Sequence, residues 1–247
     1  MTIDGWALGE FTASGVTHPT YRRGSGPGVV VISEIPGITE DVITFADEVV
    51  AEGFTVVLPH LFGKVVSPDS PGAMIGSLRQ ACVNREFNKL RLHETSPIAD
   101  WLRALARDLH AELGGPGVGA LGMCFTGGFA LAMMVDDSVA APVLAQPSLP
   151  FPVGKARAAD LNLSPADLTR VKERAAGGCQ VLGLRYTGDL AVGTRFETLT
   201  RELGDAFLRV EFPGRKHSTL TAHRQQEGVD RVLAFFREKL LTPTTGG

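Results

Sequence analysis

The stretch GVGALGMCFTGGFALAMMV, residues 117–135, decides the fold. Its first half, Val118–Met123, is a short run of small and apolar residues, the pattern of a buried strand. Its second half, from Thr126, begins a helical pattern. Between them stands Cys124, with Gly122, Gly127 and Gly128 close by. A sharp strand-to-helix turn lifts one side chain above the edge of a sheet. Its neighbours must be small, because the backbone there crowds the helix. The helix also points its positive end at the sulfur, which favours the thiolate. The backbone N–H of Phe125 is then placed to stabilise an oxyanion. The competing reading is a core cysteine, since free Cys is among the most buried residue types. Cys82, in a long loop, and Cys179, at the start of a strand, have no such turn and read as structural.

Outward from this stretch, short apolar runs alternate with helical patterns. Gly28–Ile35 and Phe54–Pro59 read as strands, and so do Ala141–Gln146, Cys179–Thr187 and Ala206–Phe212. A helix capped by Thr39 and stopped by Gly53 follows the first strand. Further helices are expected over Ser96–Leu113 with Ser96 as cap, over Ser164–Ala176, and over Val229–Leu240. The alternation predicts an α/β fold: a mostly parallel central sheet with helices on both faces, in three layers. No linker divides residues 1–247, so one domain is expected, with its core over about 28–240. Gly63–Ser96 is rich in Gly, Pro and Ser and is expected to be a lid or pocket loop. The tail, residues 242–247, is expected to be disordered.

Composition narrows the class. The 247 residues are 44% hydrophobic and 21% charged, an ordinary globular balance. A net charge of −3 gives no electrostatic reason to expect nucleic acid. No apolar run reaches the roughly 18 residues that suggest a membrane span. Three cysteines do not make a disulfide framework, and residues 1–11 lack the pattern of a secretory signal. A cytoplasmic protein is the expectation.

In such sheets ligands bind at the carboxyl ends of the strands. A cysteine nucleophile there needs a base, and the base an orienting acid. His60 and His217 each follow a strand at that edge. His18, His93 and His110 do not, and read as surface or packing residues. In α/β-hydrolase folds the order along the chain is nucleophile, acid, histidine. That order selects His217, with His223 as rival, and leaves His60 as a pocket residue. Asp189 follows a strand at the same edge, between nucleophile and histidine. Asp205 precedes its strand. Asp136 and Asp137 lie about 18 Å along the nucleophile helix from the sulfur. Glu34 ends the first strand, also at the active edge. It is either a desolvated acid partnered by an imidazolium or thiol proton, or a loop carboxylate reaching water.

Together GMCFTGG with Cys124, GD with Asp189, GRKHS with His217 and SEIPGI with Glu34 resemble the dienelactone hydrolase family, from about Gly28 to Leu240. The resemblance implies an α/β-hydrolase fold, a Cys124–His217–Asp189 triad, and neither cofactor nor metal. It implies that Glu34 contacts the thiol and helps deprotonate it. It implies an oxyanion hole from the N–H groups of Ile35 and Phe125. The substrate it implies is a small ester or lactone. Two positions depart from the family pattern. Thr126 stands where glycine is usual, two residues after the cysteine. Thr221 stands where members acting on dienelactone carry an arginine for the substrate carboxylate. Arg224 is nearby, and the long loop offers Arg79, Arg85 and Arg91. Arg85, Arg224 and His60 are the candidate substrate-binding side chains. The expected activity is hydrolysis of an ester or lactone through an acyl-thioester. The alternatives are a thioesterase or general carboxylesterase, or a non-catalytic thiol-sensing or ligand-binding protein.

Overall fold

The computed structural model describes residues 2–63, 65 and 92–241. Eight strands form one sheet: β1 (Ala7–Ala13), β2 (Val16–Arg23), β3 (Gly28–Ile32), β4 (Thr55–Pro59), β5 (Val118–Met123), β6 (Val139–Ala145), β7 (Val181–Tyr186) and β8 (Phe207–Phe212). Their spatial order is β1-β2-β4-β3-β5-β6-β7-β8. The pairs β1–β2 and β2–β4 are antiparallel, and every later pair is parallel.

Side chains alternate across a strand, so a central strand feeds two cores. Val30 and Ile32 of β3 enter the core on one face, and Val29 and Val31 enter the other. On the first face lie α2 (Ile98–Leu113), α3 (Gly127–Met133), α5 (Pro165–Ala176) and α6 (Arg195–Leu203). On the second lie α1 (Glu40–Ala51) and α7 (Gln226–Phe236). A short helix, α4 (Lys155–Ala159), lies in the β6–α5 connection. The chain is thus a three-layer α/β sandwich with the α/β-hydrolase arrangement. Burial of large side chains such as Trp101, Phe129, Phe45 and Phe236 stabilises each layer by about 1.5–3 kcal/mol per residue.

Most expected elements are present, with shifted ends. Thr39 caps α1, its Oγ1 accepting the Val42 N–H at 3.3 Å. Ser164 caps α5 by accepting the Asp167 N–H at 3.1 Å. Ser96 does not cap α2: Pro97 occupies the cap position, and the Ser96 hydroxyl donates instead to Asn162 Oδ1 at 2.9 Å. A residue before proline is biased away from helical geometry, and a tertiary partner claims its side chain. The β1–β2 hairpin and the helices α4 and α6 are additional to the expectation. The hairpin turns at Ser14 (φ +53°) and Gly15 (φ +77°), both left-handed, as a two-residue type I′ turn requires. The expected lid, Gly63–Ser96, lies mostly outside the described residues, together with Arg79, Cys82, Arg85, Arg91 and the tail. Among the described residues no helix is long and apolar enough to cross a membrane.

Candidate active site

β5 ends at Met123, and Cys124 follows with a φ of +53°. A non-glycine residue seldom adopts this left-handed conformation unless its surroundings enforce it. Here they do. A Cβ on Gly122 would stand 2.1 Å from the carbonyl oxygen of Thr126, and one on Gly127 would stand 2.6 Å from Pro147 Cα. Gly128 has ordinary room, so its glycine is not demanded by space. Thr126 replaces the usual glycine and fastens the turn. Its buried hydroxyl accepts the Met123 N–H at 3.0 Å and faces the carbonyls of Ile32 (3.0 Å) and Ser33 (3.2 Å). The end of β3 is thereby tied to the nucleophile turn.

His217 and Asp189 reach this turn from the ends of β8 and β7. Asp189 is buried, and its Oδ1 accepts the Ala191 N–H at 3.0 Å. Its Oδ2 lies 2.6 Å from His217 Nδ1. Burial opposes a charge on His217. The hydrogen bond to Asp189, then the hydrogen bond and charge of Cys124, outweigh burial and raise its pKa from 6.5 to about 11. The resting pair is therefore an imidazolium facing a sulfur. His223, the rival, is exposed and is tied through its backbone to Ser218 and Tyr186.

Glu34 is buried just after β3. Its Oε1 accepts the Thr221 hydroxyl. Its Oε2 accepts Ser218 Oγ–H at 2.9 Å and Gln146 Nε2–H at 3.4 Å. Burial raises its pKa above the usual carboxylate value, against the pull of these donors and of His217. The burial of Glu34 matches the first of its two readings, while its hydrogen-bond donors here are two hydroxyls and an amide. A Glu34 oxygen, Cys124 Sγ and a His217 ring nitrogen all lie within 4.8 Å of one another. Ile35 begins a tight turn closed by Gly37 N–H donating to Glu34 C=O at 2.7 Å.

Two of the other candidates have partners of their own. His60 contacts the carbonyl of Gly63 at 3.2 Å through Nε2, and burial lowers its pKa. Arg224 donates to Glu48 Oε2 at 2.8 Å. Arg85 lies outside the described residues. Cys179 is partly buried beside the carbonyls of Val139 and Ala140, and burial raises its thiol pKa.

Several functional neighbours escaped the sequence reading. Ser148 Oγ lies 3.5 Å from Cys124 Sγ, and Ser148 N–H donates to Cys124 C=O at 3.0 Å. Gln146 accepts from Thr219 Oγ1 at 2.7 Å while holding Glu34. The signal was a polar pair, Gln146 and Ser148, following an apolar strand at the active edge. Arg195 is almost wholly buried. It donates to the carbonyls of Leu149, Pro150, Arg157, Asp160, Ala191 and Val192. Burial lowers its pKa to about 10. It joins the loop that carries Ser148 to the loop that carries Asp189. Phe125 meets Phe62, Phe129 and Phe151 at centroid distances of 5.7, 6.2 and 6.3 Å, giving the turn an apolar flank.

Comparison with known proteins gives the family and the fold. The dienelactone hydrolase family model matches residues 14–163, more than half of the chain. No curated protein matches it. A dienelactone hydrolase from Anabaena variabilis ATCC 29413 superposes with a TM-score of 0.66 at 15% identity, covering 95% of this chain and 98% of that one. A dienelactone hydrolase-like promiscuous phosphotriesterase from metagenomic libraries gives 0.66 at 16%, covering 95% and 98%. A cold-adapted esterase from an Arctic intertidal metagenomic library gives 0.61 at 17%, covering 94% and 93%. At these identities the structures speak for the fold, and the family match assigns the chemistry: the chain belongs to the dienelactone hydrolase family and is a carboxylic ester hydrolase.

Proposed function

We propose that this protein hydrolyses a small ester or lactone with Cys124 as nucleophile, His217 as acid and base, and Asp189 as its orienter. The observation that carries the reading is the link from Asp189 through His217 to the sulfur at the strained turn. The Cys124 thiolate attacks the substrate carbonyl carbon. The resulting oxyanion is held by the N–H groups of Phe125 and Ile35, each worth roughly 3 kcal/mol. The imidazolium of His217 gives its proton to the departing alkoxide, leaving an acyl-thioester on Cys124. Neutral His217 then takes a proton from water, and the hydroxide attacks the thioester. Cys124 leaves as thiolate beside a restored imidazolium.

Glu34 acts as a proton acceptor that helps deprotonate the thiol, and Thr221, Ser218 and Gln146 hold it in place. Thr221 turns to Glu34 and Arg224 is held by Glu48, so neither is disposed to clamp a substrate carboxylate. Of the phenylalanines around Phe125, Phe62 and Phe129 are buried, and the half-buried Phe151 offers apolar surface instead. Leu190, next to Asp189, is 86% exposed and supports an apolar rim. The substrate is therefore read as a neutral ester with an apolar acyl group. Hydrolysis of a neutral lactone beside its carboxylate-bearing analogue tests this. A higher kcat/KM for the neutral compound is expected, and a preference for the charged one would contradict it.

A further inference from the structure

We infer that Cys124, His217 and Glu34 form a binding site for a borderline-soft divalent cation of the zinc type, and that filling it switches the hydrolase off. The regulatory half rests on the proposed hydrolase reading, and the site itself does not.

Three donors of three kinds converge. Sγ, a ring nitrogen and a carboxylate oxygen lie within 4.8 Å of one another. His217 Nδ1 is engaged by Asp189, so the nitrogen facing the sulfur is Nε2. Zinc–ligand bonds of about 2.0–2.3 Å need donors somewhat closer than this, an adjustment of about one ångström. Thiolate and imidazole select zinc over magnesium or calcium, which prefer oxygen.

Each donor also has an outer partner that fixes its orientation, as metal ligands generally do. Asp189 holds His217. Thr221, Ser218 and Gln146 hold Glu34, and Ser148 lies against Cys124. A carboxylate offers about four lone-pair sites, so three accepted hydrogen bonds leave one for a ligand bond. All three of those donors are neutral. A dication would balance the thiolate and the carboxylate together. With three protein ligands the fourth position is open to water.

Binding replaces the proton shared between Sγ and Nε2 and releases it to solvent. The sulfur lone pair and the imidazole are then both occupied. Neither nucleophilic attack nor proton transfer remains possible until the metal is withdrawn.

The test titrates Co²⁺ into metal-free protein. A thiolate-to-cobalt charge-transfer band is expected, displaced by Zn²⁺. Cys124→Ser should abolish it, and Cys179→Ser should retain it. Glu34→Gln should weaken affinity by at least about tenfold. Aryl-ester hydrolysis, followed on the same samples, should fall as the band grows and return with a chelator. Absence of the band, its survival in Cys124→Ser, or unchanged affinity in Glu34→Gln overturns the site. A band with undiminished turnover overturns the regulation. If the band behaves as expected but metal-free protein never turns over an ester, the site stands and the hydrolase reading falls.

Discussion

His217 Nδ1 and Asp189 Oδ2 lie 2.6 Å apart, bridging loops that follow two different strands. The contact fixes which ring nitrogen faces Cys124. It also keeps the ring charged at neutral pH. Asp189→Asn leaves the shape but removes the charge and the tautomer preference. We expect kcat for an aryl ester to fall by about 10³–10⁴-fold with little change in KM. A fall of less than tenfold would contradict the orienting role.

The raised pKa of His217 makes stability depend on pH. The fold favours the protonated ring, shifting it from 6.5 to about 11. Its contribution is complete below 6.5, where the unfolded chain is also protonated, and is lost as pH rises through about 11. Denaturant unfolding of wild type and His217→Gln at about pH 6, 8 and 10 should show a stability gap that narrows with pH. A constant or widening gap would contradict this.

Thr126 ties the nucleophile turn to β3 through one buried hydroxyl. Thr126→Val keeps the volume but leaves the Met123 N–H without that partner. A loss of about 1–3 kcal/mol is expected by denaturant unfolding. Thr126→Ser should recover most of it, and equal losses in both variants would mean the hydroxyl is not the cause.

Arg195 donates to six backbone carbonyls from a buried position. Arg195→Met removes all of these charge-assisted hydrogen bonds at a buried site, and we expect a loss of about 3 kcal/mol or more. Arg195→Lys should recover only part of it, because an ammonium has three donors and no planar fork. A neutral effect of Arg195→Met on the unfolding midpoint would refute the tie between the two loops.

What was legible in the sequence follows from locality. Cys124 could be read because its turn demands small residues within a few positions, and the glycines at 122 and 127 meet that demand. Asp189 and His217 could be read because each follows a strand at the active edge. The partners of Glu34 could not. Thr221 and Ser218 come from the far end of the chain, and nothing local marks which hydroxyl a buried carboxylate will meet. Arg195 was hidden for a related reason: a charged residue reads as surface until the loops around it are folded. The β1–β2 hairpin did carry a turn signal, Ser14–Gly15. Its strands alternate weakly because β1 is mostly exposed.

The central claim is that Cys124 carries the acyl group. Intact-protein mass spectrometry of a rapidly quenched reaction with an activated aryl ester measures it most directly. The account predicts one added acyl mass, mapped to Cys124 by peptide digestion, and no turnover in Cys124→Ala. Steady ester hydrolysis by Cys124→Ala, or an acyl group mapped to another residue, would contradict it.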